Sequence, residues 1–212
     1  ILRESLSSIG TDHFEYNGKK CYIKDGIERL TIAKAFEKFC HFDILSTIDN
    51  PQKPTTKLLK PIAKKLGINV SEIDTWDDIY EKLMFEFIEP NLGIDRPTIL
   101  YEYPIHQAAL SKEKDGNPNI AERFELYVCG VELANAFTEL TNRKVQEERF
   151  LHDQAEKKAI YGTTFPIDYE FLDAIENLEN CTGIALGVDR LIMLCTHAKD
   201  ITDVLWIEIP TI

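Results

Sequence analysis

The chain has 212 residues, of which 44% are hydrophobic and 10% aromatic, which is enough for one sizeable core and excludes a long disordered chain. Its formal net charge of −12 has the wrong sign for a protein that mainly neutralises phosphates, which argues against broad nucleic-acid affinity. Most of the excess acid lies after residue 97, and we therefore expect amine or metal chemistry in the second half.

The cysteines and the hydropathy pattern indicate a cytoplasmic protein with reduced thiols. The five cysteines are odd in number, and no Cys-x-x-Cys pair suggests zinc or a redox couple. No apolar run approaches the ~18 residues of a membrane span, and no signal peptide opens the sequence. The first residue is Ile1 rather than Met, which suggests a piece of a longer protein.

The first half of the chain is predicted to be helical. Apolar residues at three-and-four spacing predict a helix over 31–41, with Thr31 as its N-cap. A second helix, with outward-facing lysines, is expected over 56–66, and a third over 75–90, with acids in its first turn. Together these helices form a predicted helical insertion at 28–92.

The second half changes to period-two alternation, typical of strands, and then to a mixture of helices and strands. Strands are predicted at 98–103, 121–129, 131–133, 184–187 and 204–207, and helices at 142–161, 168–178 and 188–197. The residues of the long helix that we expect to face inward are Phe150, Leu151, Ala155 and Ala159.

Four polar side chains interrupt the apolar pattern of the second half: Glu125, Glu132, Asn135 and Glu139. A buried carboxylate without a partner costs several kcal/mol, so these acids need cations from the protein, a metal or a ligand. Pairing with Arg123 and Arg143 on a solvated sheet face is an equally open interpretation. Glu132 and Asn135 are three residues apart, so they share a face only if the strand breaks or bulges between them.

The glycine-rich run Gly183-Ile-Ala-Leu-Gly187-Val-Asp-Arg190 is the second feature of interest. Glycines on a strand let another group approach the backbone, and an arginine at the start of the following helix suits an anionic ligand such as a phosphate. The alternative is tight packing of strand against helix, with Asp189 and Arg190 as a surface pair.

Together, residues 121–150 and 183–191 resemble the catalytic domain of class II lysyl-tRNA synthetases, and the second run is similar to motif 3 of that family. The resemblance extends over about 96–209. It implies an α+β fold, with an antiparallel sheet of six or seven strands flanked by helices. It also implies a ligase that activates an amino acid with ATP to an aminoacyl-adenylate.

The resemblance implies an ATP and Mg²⁺ site. Glu125 and Glu132 match the acids that bind magnesium and ATP, and Leu133 matches a position that lines the adenosine. Arg190 matches the catalytic arginine on the γ-phosphate, and Gly187 matches the glycine beside the nucleotide. Two carboxylates with divalent ions would neutralise the triphosphate, while the arginine would steady the leaving group.

The amino-acid site implied by the resemblance holds a lysine-type substrate. Asn135 and Glu139 match its ligands, with Glu139 as the partner of the side-chain ammonium. Gln107, in Pro-x-x-Gln-Ala-x-Leu, and Ala185, where lysyl-tRNA synthetases have glycine, resemble the paralogues that join (R)-β-lysine to elongation factor P. Ala136 stands where the family usually has glycine, and we expect it to tighten the site.

Motifs 1 and 2 of the family are not found in this sequence, so the chain is expected to be a single partial domain, 1–212, with a core sheet at 96–209. Motif 1 builds the homodimer of the family, and motif 2 contacts the α-phosphate. Two alternatives remain open. One is a catalytic fragment of lysyl-tRNA synthetase, although tRNA is the less favoured acceptor; the other is an inactive truncated homologue that serves as a binding module.

Overall fold

A computed structural model describes residues 1–207 and shows an α+β fold. The strands are β1 (His13–Tyr16), β2 (Lys19–Tyr22), β3 (Glu28–Thr31), β4 (Thr98–Tyr101), β5 (Glu113–Lys114), β6 (Asn117–Ala121), β7 (Arg123–Val128), β8 (Val131–Thr138) and β9 (Thr182–Leu186). The α-helices are α1 (Leu2–Ile9), α2 (Ile32–Cys40), α3 (Thr56–Lys65), α4 (Trp76–Leu83), α5 (Arg143–Tyr161), α6 (Tyr169–Glu176) and α7 (Val188–Thr196).

The central sheet has the strand order β3-β4-β7-β8-β9, while β1-β2 and β5-β6 form separate two-stranded sheets. Within the central sheet, β3 and β4 are parallel and the other neighbours are antiparallel. Across residues 1–207 the central sheet therefore has five strands, fewer than the six or seven that the resemblance implied. None of the described helices is long and apolar enough to cross a membrane.

The three helices predicted in the first half are confirmed, and their caps explain their starts. The Thr31 hydroxyl accepts from the backbone N–H of Lys34 at 3.2 Å at the start of α2, and a capping box of Thr75 and Asp78 begins α4. The chain after α4 continues through a π turn and a 3₁₀ turn that ends at Asn91. The helical interpretation is wrong for 28–31, because this segment pairs with β4 as strand β3.

In the second half, α5, α6 and the β9-to-α7 connection confirm the predicted elements. The inward face predicted for α5 is wrong: Leu151 is 49% exposed, and Ala155 and Ala159 are also exposed. The reason is that α5 packs mainly against one short helix, α6, where Phe150 meets Phe171 with ring centroids 5.8 Å apart.

The final strand predicted at 204–207 is also wrong, since these residues form a turn and a bend after a short 3₁₀ helix. No strand within residues 1–207 pairs with them, and Trp206 is 97% exposed. Residues 208 and 209 of the predicted core range lie outside the described residues.

Two buried clusters lie on opposite sides of the central sheet. Helices α2 to α4 pack on the side that carries Leu100 and Tyr127. Helices α1 and α7 and the β1-β2 hairpin pack on the side that carries Leu126 and Leu186. Neighbouring residues on a strand point to opposite sides, so Leu126 and Tyr127 mark the two faces. The face with Tyr127 is the one that carries the candidate site.

Candidate functional site

A β-bulge at Leu133 brings the predicted site residues of β8 onto one face. Ala134 pairs with Leu126 and Glu132 pairs with Tyr127, so Leu133 is the extra residue between them. The bulge reverses the side-chain alternation, and Glu132 and Asn135 therefore point to the same side of the sheet. Two strand residues that are three apart can share a face only if the strand is interrupted between them, and the bulge is this interruption.

A row of cross-strand neighbours defines the centre of the site. Glu125 on β7 lies opposite Leu100 on one side and Asn135 on the other, and Asn135 lies opposite Ala185 on β9. Directly opposite residues of a sheet share a face. Asn135 is half-buried and Ala185 is exposed, so this end of the row is open to a ligand.

The Glu125 carboxylate is buried and accepts four hydrogen bonds. Its side chain is 9% exposed; Oε2 accepts from the Tyr103 hydroxyl at 2.6 Å and the Tyr127 hydroxyl at 2.7 Å. Oε1 accepts from Arg123 Nη2 and from Asn135 Nδ2, the latter at 3.2 Å. An ionised carboxylate has about four lone-pair positions, so these donors saturate it. The pairing of Glu125 with Arg123 confirms one half of the salt-bridge interpretation.

The two tyrosines that donate to Glu125 remain protonated. Burial, followed by the negative charge of Glu125, raises the pKa of Tyr103 and of Tyr127 well above the ordinary value. Both effects disfavour the phenolate, because it would be buried next to a carboxylate. The network is therefore a fixed arrangement of donors around one acceptor at neutral pH.

This saturation bears on the predicted magnesium site. Direct ligation of Mg²⁺ by Glu125 requires one of its four donors to leave. Glu132 is 33% exposed and uses one carboxylate oxygen for Arg190, so its other oxygen suits a cation. Across residues 1–207, no group of three or more His, Cys, Asp or Glu side chains is arranged to hold a metal. The free oxygen of Glu132 could therefore bind a metal ion that arrives with a nucleotide. The Glu125 carboxylate could not, because all of its acceptor positions are in use in this arrangement.

Arg190 and Glu132 form the second part of the site, beside the glycine-rich turn. Arg190 Nη1 donates to the Glu132 backbone oxygen at 2.8 Å and to its carboxylate at 3.0 Å. Gly187 is the N-cap of α7, and its N–H donates to the Leu133 oxygen at 2.8 Å. The Leu133 side chain is 1% exposed and belongs to the buried cluster beneath α7, so only its backbone adjoins Gly187. Arg190 itself is 44% exposed and can reach an anion.

Glu139 is the acid of the site that keeps its carboxylate free. Its backbone N–H donates to the Cys181 oxygen at 3.0 Å, but its carboxylate has no hydrogen-bond or ion-pair partner within residues 1–207. A Cβ atom placed on Gly183 would lie 2.8 Å from Glu139 Oε1. The glycine on β9 therefore provides the space that the carboxylate occupies, as the glycine pattern indicated.

Two alanines of the predicted site lie on different sides of the sheet. Ala185 is opposite Asn135, on the open side. Ala136 is fully buried, and strand alternation directs its methyl group away from the Asn135 side. The expectation that Ala136 tightens the site is therefore wrong, because its side chain packs against the opposite side of the sheet from Asn135.

Sequence reasoning missed the tyrosines and assigned one arginine wrongly. Tyr127 is two residues after Glu125 on the same strand, and this spacing was the one available signal. Tyr103 lies two residues after β4 and could be placed only by the tertiary structure. Arg143 does not pair with a site acid but with Glu147 at 3.2 Å and with an acid on α6.

Comparisons with known proteins identify the family of the chain. The model of the family described as tRNA synthetases class II (D, K and N) matches residues 1–207. The elongation factor P–(R)-β-lysine ligase of Proteus mirabilis (strain HI4320) is 39% identical over 181 residues, which cover 84% of this chain and 54% of that relative. The chain thus spans about half the length of the curated relative it matches. On this evidence, the chain belongs to the class II tRNA synthetase family that contains the D, K and N enzymes.

Proposed function

We propose that the chain carries the amino-acid and nucleotide sites of a ligase that uses ATP to activate (R)-β-lysine and transfers it to a lysine of elongation factor P. The family and the activity for which the relative is named support this class of reaction. The observation that carries the proposal is the free Glu139 carboxylate, which lies next to Gly183 at the open end of the sheet face. An unpaired, half-buried acid is suited to the ammonium group of a lysine-type substrate.

Different side chains of the site bind the amino acid and ATP. Glu139 receives the side-chain ammonium, and the Asn135 amide orients the polar end of the amino acid. Arg190 leaves Glu132 in part and contacts the phosphates, which lie at the start of α7 beside Gly187. Magnesium, when it is bound with ATP, neutralises part of the triphosphate charge.

The chemical step needs positioning rather than a general base. The carboxylate of the amino acid is itself the nucleophile and attacks the α-phosphorus, while pyrophosphate leaves. Two fixed groups, the amide of Asn135 and the acid Glu139, hold the substrate at one end. The guanidinium of Arg190 stabilises the charge on the phosphates at the other end.

The preference for (R)-β-lysine over L-α-lysine rests on Ala185. Its methyl group lies on the open side, directly opposite Asn135. A glycine at this position lacks the methyl group, so the amino-acid pocket would be deeper there and would admit a substrate whose amine is on the α carbon. The alternative function, a lysyl-tRNA synthetase fragment, uses the same activation with tRNA as the acceptor.

The remaining parts of the proposal concern organisation and location. We infer that the chain is one partial synthetase domain, in which the helical insertion follows β3, and that it forms a homodimer of the family type. A cytoplasmic location agrees with the cysteines, which are all free.

Amino-acid-dependent pyrophosphate exchange tests this function. The chain is assayed with ATP and Mg²⁺ and with (R)-β-lysine or L-α-lysine. Faster exchange with (R)-β-lysine is the expected result. Preference for L-α-lysine would overturn the argument from Ala185 and favour the tRNA enzyme. Exchange with neither, together with binding of elongation factor P, would favour the binding module.

A further inference from the structure

Arg123 makes several contacts besides its ion pair with Glu125, and that ion pair alone does not explain them. Its Nη1 donates to the Gln107 backbone oxygen at 2.6 Å, its Nη2 to Glu125, and its Nε to Asn135 Oδ1 at 3.3 Å. Its guanidinium carbon lies 4.3 Å from the centre of the Tyr103 ring. All three nitrogens of the guanidinium are thus engaged, and the side chain is only 18% exposed.

These contacts determine which way the Asn135 amide faces. Arg123 Nε can only donate, so the atom opposite it must be the amide oxygen of Asn135. The Glu125 carboxylate can only accept, so the atom opposite it must be the amide nitrogen. Asn135 then keeps one acceptor position on its oxygen and one free N–H for a ligand.

The same arginine connects Asn135 to the segment that ends at Gln107. The Gln107 side chain donates to Asp77 on α4, while its backbone oxygen is held by Arg123. Gln107 therefore has a fixed position from two sides. This segment is the first part of the Pro-x-x-Gln-Ala-x-Leu sequence at 104–110.

We infer that Arg123 is a positioning residue of the amino-acid site, which fixes the Asn135 amide and couples it to the 104–107 segment. The inference rests on the proposed function, because it describes how the site recognises its amino acid. The planar fork of an arginine can reach three acceptors at once, whereas a lysine at the same place offers one compact ammonium. Arg123→Lys keeps the charge beside Glu125 and loses the contact with Asn135.

Arg149 provides a matched control. Its side chain is also 18% exposed, and its Nη1 donates to the backbone oxygens of Ala109 at 3.1 Å and Ser111 at 2.9 Å. It therefore holds the loop that follows Gln107 without touching Asn135. Arg149→Lys should affect the loop but not the orientation of the amide.

The first measurement is nuclear magnetic resonance of the side-chain amide of Asn135, assigned by the signal that Asn135→Ala removes. We expect Arg123→Lys to shift this signal and to increase its solvent exchange about 10-fold, which corresponds to about 1.4 kcal/mol. Arg149→Lys should leave the signal in place. An unchanged signal in Arg123→Lys, or the same change in both variants, would overturn the inference.

The second measurement is binding of (R)-β-lysine and of ATP. Arg123→Lys should weaken (R)-β-lysine binding about 10-fold and leave ATP binding within about 2-fold. In an Asn135→Ala background, Arg123→Lys should have no further effect, because Arg123 acts through Asn135. Additive losses would contradict the inference. If the wild-type chain binds no lysine-type amino acid, the proposed function fails, while the amide signal still decides the role of Arg123.

If Arg123→Lys loses the native spectrum, the wild-type protein offers another test. The Nε proton of Arg123 should be protected from solvent and should shift in Asn135→Ala. No shift in that variant would show that Arg123 and Asn135 are not coupled.

Discussion

Gly183→Ala tests whether the position of the Glu139 carboxylate matters for amino-acid recognition. The added Cβ would lie 2.8 Å from Glu139 Oε1, and an ordinary contact needs about 3.4 Å, so the carboxylate must retreat by about 0.6 Å. Gly183 does not have a positive φ, so the backbone accepts alanine without strain. The substitution therefore moves the acid and leaves the fold in place.

The expected consequence is a selective loss of amino-acid affinity. A hydrogen bond to a charged group contributes about 1.5–3 kcal/mol, and a partial displacement should remove about half of that. We therefore expect the dissociation constant for (R)-β-lysine to rise about 10-fold in Gly183→Ala, as measured by isothermal titration calorimetry. The melting temperature should change by no more than about 2 °C, because only the far end of a flexible side chain has to move.

A double variant distinguishes this explanation from a general disturbance of β9. In a Glu139→Gln background the ammonium partner is already lost, so Gly183→Ala should have little further effect. Equal losses in the two backgrounds would refute the reasoning, as would a wild-type affinity in Gly183→Ala.

Three further predictions concern stability and reactivity. Ile79→Ala should lower the free energy of unfolding by about 2–5 kcal/mol in a denaturant titration, since Ile79 is fully buried, whereas Ile73→Ala, at an 88% exposed position, should change it by less than about 0.5 kcal/mol. Burial raises the pKa of the Cys21 thiol to about 12, so iodoacetamide at pH 8 should label the exposed Cys181 long before Cys21, as followed by mass spectrometry. Burial, and then the charge of Glu125, raises the pKa of Glu89, so its stabilising contribution falls as the pH rises above its ordinary value of 4.5. Glu89→Gln should therefore raise the melting temperature more at pH 7 than at pH 4, and an equal rise at both would contradict this.

Local signals in the sequence predicted much of the fold. Helix α2 begins directly after Thr31 because the hydroxyl of this N-cap residue satisfies a free backbone N–H, and that relation involves only neighbouring residues. The Leu133 bulge followed from a conflict between spacing and strand parity. In contrast, β3 was missed because four residues next to a strong helix signal become a strand only through pairing with β4, about 70 residues away.

The candidate site was predicted in part, for a similar reason. Glu125, Asn135 and Glu139 were identified from their apolar surroundings and from the family resemblance. The structure adds that Glu125 is saturated by donors from β7, from β8 and from Tyr103, which follows β4, while Glu139 remains free among the described residues. Which acid is paired depends on side chains from distant strands, such as Tyr103, so spacing along one strand could not distinguish the two.

The most direct test of the proposed site compares the binding of (R)-β-lysine to the wild-type chain and to Glu139→Gln by isothermal titration calorimetry. Glutamine keeps the size of the side chain and removes the charge that pairs with an ammonium. We predict that the wild-type chain binds (R)-β-lysine and that Glu139→Gln weakens binding at least about 10-fold, with an unchanged melting temperature. Equal affinity in the two proteins would contradict the assignment of Glu139 and of the amino-acid site.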